Sequence, residues 1–465
     1  MDVRRKPFVP PAPVPRTVPP GRLEIIRTVM RNPLELWGEP SYNEPWILTK
    51  FLNERALIVN HPGLVRHVLV DNVANYRMGR IRQLVLRPIL RDGLLTAEGD
   101  TWRRSRKAVA PVFTPRHARG FADQMLSGSQ RFLSRYQAAG PQGSEFDIGR
   151  DMSELTFFIL SDTLFSGDVA ATDDEFAADI EKLLSTMGRI DPFDLVKAPR
   201  WLPRLRRLRG RHVLAKFRGM VRRTMTGRLE VLKNDPGAAP EDFLTLLLRQ
   251  MGPDGLSAEE VEDNLVTFIG AGHETTARAL AWTLYCLSQS PDDLAEVEKE
   301  IDKVVAEEKD PVEWLARMPW TRAAFEEAMR LYPPAPSINR EAIADDTYVD
   351  KQGARVTIPA GTTVMVMPWT LHRHRRLWDE PNAFIPARFL PANRDAIDRF
   401  QYLPFGAGPR VCIGATFALQ EAVIALAVLL GHFRFESLPT TRPWPVQKLT
   451  TQPGGGLRMR VVPRR

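Results

Sequence analysis

Cysteine is nearly missing from this chain, with two in 465 residues. That excludes a disulfide framework and fits a reducing compartment. No run of about 18 apolar residues occurs, so no membrane-spanning helix is expected. The N-terminus lacks the apolar core of a secretory leader. It holds seven prolines between Pro7 and Pro20, which suggests an extended, polyproline-like arm over residues 1–21. Internal repeats are absent. A soluble cytoplasmic monomer without a transmembrane anchor is therefore expected.

Hydrophobic residues make up 43% of the chain, so a sizeable core can form. The net charge is +8 and the pI about 9.6. Such a balance raises nucleic acid, anionic membrane or an acidic protein as partners. No motif supports nucleic acid. Residues 46–59 alternate in the manner of strands, with Asn53-Glu54-Arg55 as a turn. Helical periodicity dominates after His61-Pro62. A second strand-rich patch runs from Thr347 to Met367, turning at Gly353 and at Pro359-Ala360-Gly361. The tail from Leu449 to Val462 reads as a further hairpin. The fold class is mainly α with small β-sheets, and residues 22–465 form one domain.

Cys412 stands in Phe405-Gly406-Ala407-Gly408-Pro409-Arg410-Val411-Cys412-Ile413-Gly414. Two glycines and a proline make the first part a tight loop, and the apolar stretch from Ala415 to Leu430 reads as a helix. A cysteine at such a junction lies in the positive field of the helix N-terminus, which favours thiolate. Gly406 and Gly408 let backbone amides approach the sulfur. The pattern suits an anionic sulfur ligand for a metal; the plainer alternative is a buried structural cysteine.

One long helix is marked by Ser257 and Glu260 as a capping box and by Pro291 as its end. About 32 residues lie between, roughly 48 Å at 1.5 Å per residue, enough to cross a domain. Gly270 and Gly272 in its middle cost about 1 kcal/mol each relative to alanine. A helix that opens locally for a ligand would account for them.

The cysteine stretch resembles the haem-binding loop of the cytochrome P450 family, Phe-x-x-Gly-x-Arg-x-Cys-x-Gly, at every fixed position. Four other segments resemble that family in its order. They are Trp102-x-x-x-Arg106, Ala271-Gly272-x-Glu274-Thr275, Glu327-x-x-Arg330 and Pro386-x-Arg388-Phe389. The resemblance covers nearly the whole chain and implies the family's helical triangular prism. It implies heme b as cofactor, with Cys412 as axial thiolate, a donor that favours O–O cleavage. Phe405 would lie against the sulfur, and Gly406 and Gly414 complete the loop. Trp102, Arg106, Arg410 and Arg340 would bind the haem propionates, since arginine forks suit carboxylates. Ala271 and Gly272 would flank bound oxygen, while Thr275 holds it and Glu274 relays protons. Glu327, Arg330 and Arg388 would form a buried structural network whose loss costs haem incorporation.

The implied reaction inserts one atom of dioxygen into a hydrophobic small molecule, by hydroxylation or epoxidation. No flavin, iron–sulfur or nicotinamide segment is apparent, so a separate electron donor is expected: a ferredoxin with its reductase, or a flavoprotein. An acidic donor would dock on basic residues around the cysteine loop. Two rivals are a hydrogen-peroxide-driven peroxygenase, which Glu274 with Thr275 argues against, and a non-enzymatic haem sensor or carrier. By position, residues 80–95, 187–196, 265–271, 334–338 and 449–451 should line an apolar pocket. Cys286 reads as a small core residue. His372 and His374 read as solvated, and His273 has no assigned role. Residues 196–229 hold twelve Lys/Arg and no acid, which reads as a solvated helix face, with contact to anionic lipid as the alternative.

Overall fold

The computed structural model describes residues 6–51, 54–138, 140–167, 191–195 and 204–464. The long helix is Ala258–Ser288. Its capping box is complete: Glu260 N donates to Ser257 Oγ at 3.1 Å, and Ser257 N to Glu260 Oε2 at 2.9 Å. Residues 261–269 are all buried, because neighbours wrap every face of the helix. The helix Ile148–Phe165 packs along it, and Thr156 Oγ1 donates to the His273 carbonyl at 3.0 Å. The backbone stays helical through residues 270–276, so local opening does not account for the glycines. At Gly272 the reason is close packing: a Cβ there would meet Leu160 Cδ1 at 3.2 Å.

The helix Ala415–His432 is apolar and long enough to cross a bilayer. It lies in the core instead, with residues 422–430 buried. The Pro-rich arm is fastened to the body. Phe384 N donates to the Phe8 carbonyl at 2.8 Å, Tyr332 Oη to the Pro11 carbonyl at 2.7 Å, and Arg16 N to the Trp37 carbonyl at 3.0 Å.

The largest sheet has five strands in the order Trp46–Phe51, Glu54–Val59, Thr363–Val366, Ile338–Ala342 and Tyr76–Met78. Period-two alternation puts Ile338, Arg340 and Ala342 on its buried face. The tail differs from the expected hairpin. Thr451–Gly454 pairs back with Trp444–Gln447, and Arg458–Pro463 joins another sheet between Ser144–Asp147 and Phe433–Ser437. One-strand partners far apart in sequence are not visible in local pattern.

The basic helix Leu205–Asn234 is not simply a solvated face. Arg218 is buried and donates to Glu262 at 2.8 Å, Asp263 at 2.7 Å and the Ile89 carbonyl at 2.8 Å. Arg228 is buried on Asp242 at 2.7 Å and Thr245 at 2.6 Å. These acids lie outside the basic stretch, so its sequence alone hides the pairing. Residues 196–203 lie outside the described residues.

Glu327 and Arg330 are both fully buried in the helix Pro319–Leu331. Arg330 Nε and Nη2 donate to Glu327 at 2.7 and 2.8 Å. Its remaining donors reach the carbonyls of His372, Pro381 and Ala383 at 2.7–2.8 Å. All five guanidinium donors are thus used. Arg388 is a looser member: its Nε stands 3.4 Å from Glu327 Oε1, without hydrogen-bond geometry. His372 is buried, not solvated, and so is His374. Leu403 N donates to His372 Nε2 at 2.8 Å, and Nδ1 faces the Arg330 carbonyl at 3.3 Å. The ring is therefore a neutral Nδ1–H tautomer, and burial beside Arg330 holds its pKa well below the ordinary range.

Glu421, in the helix Ala415–His432, is buried and bonded to Thr276 of the long helix; burial pushes its carboxyl up to about 8.

Glu327→Gln leaves Arg330 without a counter-charge and should cost about 3–5 kcal/mol of unfolding free energy. Arg388→Ala should cost clearly less, and equal losses in denaturant titrations would contradict this ranking. Glu421 holds a proton in the folded chain that the unfolded chain releases between about pH 4.5 and 8. Stability through this group therefore falls as pH rises across that window. Glu421→Gln should raise the thermal midpoint at pH 8 and not at pH 5; the same shift at both would refute the assignment.

Candidate active site

The cysteine loop is shaped by backbone contacts. Gly406 and Gly408 both have φ of 75°, where side chains other than glycine are strained. At Gly408 the demand is also spatial, since a Cβ would lie 1.9 Å from the Leu69 carbonyl oxygen. Cys412 N donates to the Phe405 carbonyl at 2.9 Å and Gly406 N to the Leu403 carbonyl at 3.2 Å. Leu403 is also the residue held by His372, so the loop hangs from the Arg330 network.

Cys412 is accessible on its surface yet enclosed by protein; both hold because its side chain opens onto an internal cleft. Burial pushes the thiol up, against the Gly414 N–H on its sulfur and the Arg106 guanidinium, which pull it down. The net direction is upward, so the helix terminus alone does not make the thiolate expected from the sequence. A cation bound at the sulfur would, because coordination deprotonates a thiol. Cys286 is a buried core thiol, as expected, and burial raises it too.

Cations crowd the same cleft. Trp102 and Arg106 lie on the helix Gly99–Val109, four apart and hence on one face. The Arg410 guanidinium sits 4.5 Å from the Trp102 ring centroid and donates to the Ala97 carbonyl at 2.8 Å. Arg340 is buried, and burial beside Arg82 and Arg410 lowers its pKa to about 10. Burial and Arg410 likewise lower Arg82 to about 10. Glu98, 3.8 Å from Arg410, also acts on Arg340. Three desolvated guanidiniums against one acid suit a bound group that carries its own carboxylates. Sequence reading set residues 80–95 along the pocket but gave Arg82 no part in the cationic rim, because none of the three arginines in Arg80–Leu90 carries a motif; the fold brings Arg82 to Arg340.

The long helix supplies the opposite wall. Ala271 is exposed and Thr275 half-exposed, although the helix around them is buried. An accessible alanine at mid-helix marks where the packing opens. Thr275 Oγ1 donates to the Ala271 carbonyl at 2.8 Å. Glu274 is buried: Oε1 accepts from Thr450 Oγ1 at 2.8 Å and lies 3.9 Å from Arg278 Nε. Its Oε2 is buried without a hydrogen-bond partner. His273 Nδ1 faces the Ile269 carbonyl at 2.8 Å, away from this wall. A cysteine sulfur, a cationic rim and a wall with one hydroxyl and one acid suit a haem and oxygen chemistry.

Comparison with known proteins agrees. The family model for cytochrome P450 matches residues 41–458. The chain is 30% identical over 461 residues to cyclooctatin synthase of Streptomyces melanosporofaciens, covering 96% of each chain. It is 30% identical over 429 residues to cytochrome P450 4F12 of Homo sapiens, covering 88% of this chain and 80% of that one. The crystal structure of a cytochrome P450 (CYP102L1) superposes with a TM-score of 0.79 at 24% identity, over 96% of this chain and 98% of that chain. With a family match across most of its length and that fold, the chain belongs to the cytochrome P450 family of haem monooxygenases.

Proposed function

We propose that this chain binds heme b through Cys412 and oxygenates an apolar substrate with electrons from a separate donor. The observation that carries this reading is the Cys412 sulfur beside a cleft rimmed by Arg82, Arg340 and Arg410, of which only Arg410 has a carboxylate in ion-pair reach among the described residues. Bound haem supplies dioxygen activation and insertion of one oxygen atom, the other leaving as water.

The protein's part is to place, shield and protonate. Trp102, Arg106, Arg340 and Arg410, joined by Arg82, hold the carboxylates. Phe405, Gly406 and Gly414 fix the sulfur by shaping its loop. Thr275 Oγ1, now bonded to the Ala271 carbonyl, turns toward the cleft to donate. Glu274 Oε2 carries the proton to it, while Thr450 pins the other carboxylate oxygen. Gly272 keeps the helix close to Leu160, which sets the depth of this wall. Residues 80–95, 265–271, 334–338 and 449–451 line the substrate side with apolar groups; residues 187–190 and 196 lie outside the described residues.

Lys107, Arg116 and Arg119 are exposed on elements flanking the cysteine loop, on Gly99–Val109 and Pro115–Gly120. They suit an acidic electron donor such as a ferredoxin or flavoprotein.

Thr275→Ala should keep haem binding and oxygen consumption but divert several-fold more electrons to hydrogen peroxide, measured as product formed per reductant consumed. Unchanged coupling would remove Thr275 from proton delivery; a peroxygenase would keep its peroxide-driven turnover. Lys107→Glu with Arg116→Glu should slow reduction by an acidic donor and flatten its salt dependence. Stopped-flow reduction rates that do not change would exclude docking at this face.

A further inference from the structure

Arg373 is 3% exposed and lies away from the haem cleft. Arg218, Arg228 and Arg330 each meet a carboxylate within 2.8 Å. Among the described residues Arg373 has no carboxylate in ion-pair reach. Its hydrogen bond is a long one, Nη1 to the Trp369 carbonyl at 3.4 Å, and its Nε is buried without an acceptor. The cation is stacked instead, 3.8 Å from the Trp369 ring centroid and 5.8 Å from that of Tyr332. A desolvated cation–π contact gives back only part of what burying an ion costs. Burial accordingly lowers its pKa to about 10.

The charge faces a cleft of about 180 Å³ between the body and the Pro-rich arm. Arg373, Tyr42, Arg375 and Asn382 form one side, and arm residues including Pro10 and Val14 the other. Tyr42 Oη accepts from Trp369 Nε1 at 3.1 Å, which leaves its own proton to donate. Arg375 is already paired with Glu39 and adds no net charge. The cleft thus offers donors and one uncompensated positive charge beneath an apolar roof.

We propose that this cleft binds a small aliphatic carboxylate, its oxygens on Arg373 and the Tyr42 hydroxyl and its short chain against the arm. At about 30 Å³ per water, the volume suits an acid of a few carbons. Bound there, the acid bridges arm and body and stabilises their contact.

The test is a thermal titration of the holoenzyme with butyrate at constant ionic strength, with chloride as the reference. A saturable rise in the midpoint is expected, with no change in the haem absorption spectrum, since the site is remote from the haem. Arg373→Gln should weaken binding at least tenfold. Val14→Trp, which changes an exposed arm residue (82% accessible) and fills the cleft mouth, should do the same if Arg373→Gln does not fold. No saturable effect beyond chloride, an equal response to phosphate, or binding that survives these substitutions would each overturn the proposal.

Discussion

The Glu327–Arg330 pair has no water to fall back on. Both side chains are fully buried, so each charge must be met by protein. Such pairs seldom add net stability over apolar packing, yet breaking one is costly. Here the guanidinium uses the surplus. Its donors not spent on Glu327 fix three carbonyls between residues 372 and 383, and Glu327 Oε1 also accepts from Ile385 N at 2.8 Å. A wandering segment without regular structure is thereby given one path. His372 passes that order on, because its imidazole takes the Leu403 N–H just before the cysteine loop. Position at Cys412 is thus set in part from the helix Pro319–Leu331, through His372 and Leu403.

The cleft uses charge in the opposite way. Around Glu327 the protein closes its own electrostatic account; around Arg340 it does not. Arg82, Arg340 and Arg410 repel one another in a desolvated place where Glu98 offsets only Arg340 and Arg410. The Cys412 thiol is likewise raised, not lowered, by its surroundings. Both penalties would be removed by one ligand that brings carboxylates to the rim and a metal cation to the sulfur. Cofactor affinity and instability of the cofactor-free cleft are then two statements of the same energy, as linkage requires.

Much of this was legible in the sequence. The capping box, the long helix and the Glu327–Arg330 spacing are local patterns, and each became the expected structure. Cys412, Trp102 and Arg106 were singled out by their resemblance to the family's motifs; local pattern alone left Cys412 open as a structural cysteine and gave Trp102 and Arg106 only a shared helix face. What stayed hidden depends on partners distant in the chain. Arg82 matters through Arg340, 258 positions away. His372 and His374 sit among arginines and read as solvated, yet the fold buries them. Arg218 and Arg228 looked like a charged surface because Glu262, Asp263 and Asp242 lie outside the basic stretch. The strand Ile338–Ala342 was also missed: its alternating pattern is interrupted by the charge of Arg340, which is buried there for the cleft's sake.

The two carboxyls beside residues 274–276 of the long helix show how the site is partitioned. Glu274 is buried, accepts from Thr450 and has Arg278 Nε 3.9 Å away. Glu421 meets Thr276 from the core helix, and burial raises its carboxyl so that it keeps its proton at neutral pH. The acid proposed to relay protons and the acid that only packs are thus neighbours on one helix. The neutral acid costs less to bury than a charge would, and its hydrogen bond to Thr276 holds the helix where Thr275 must stand.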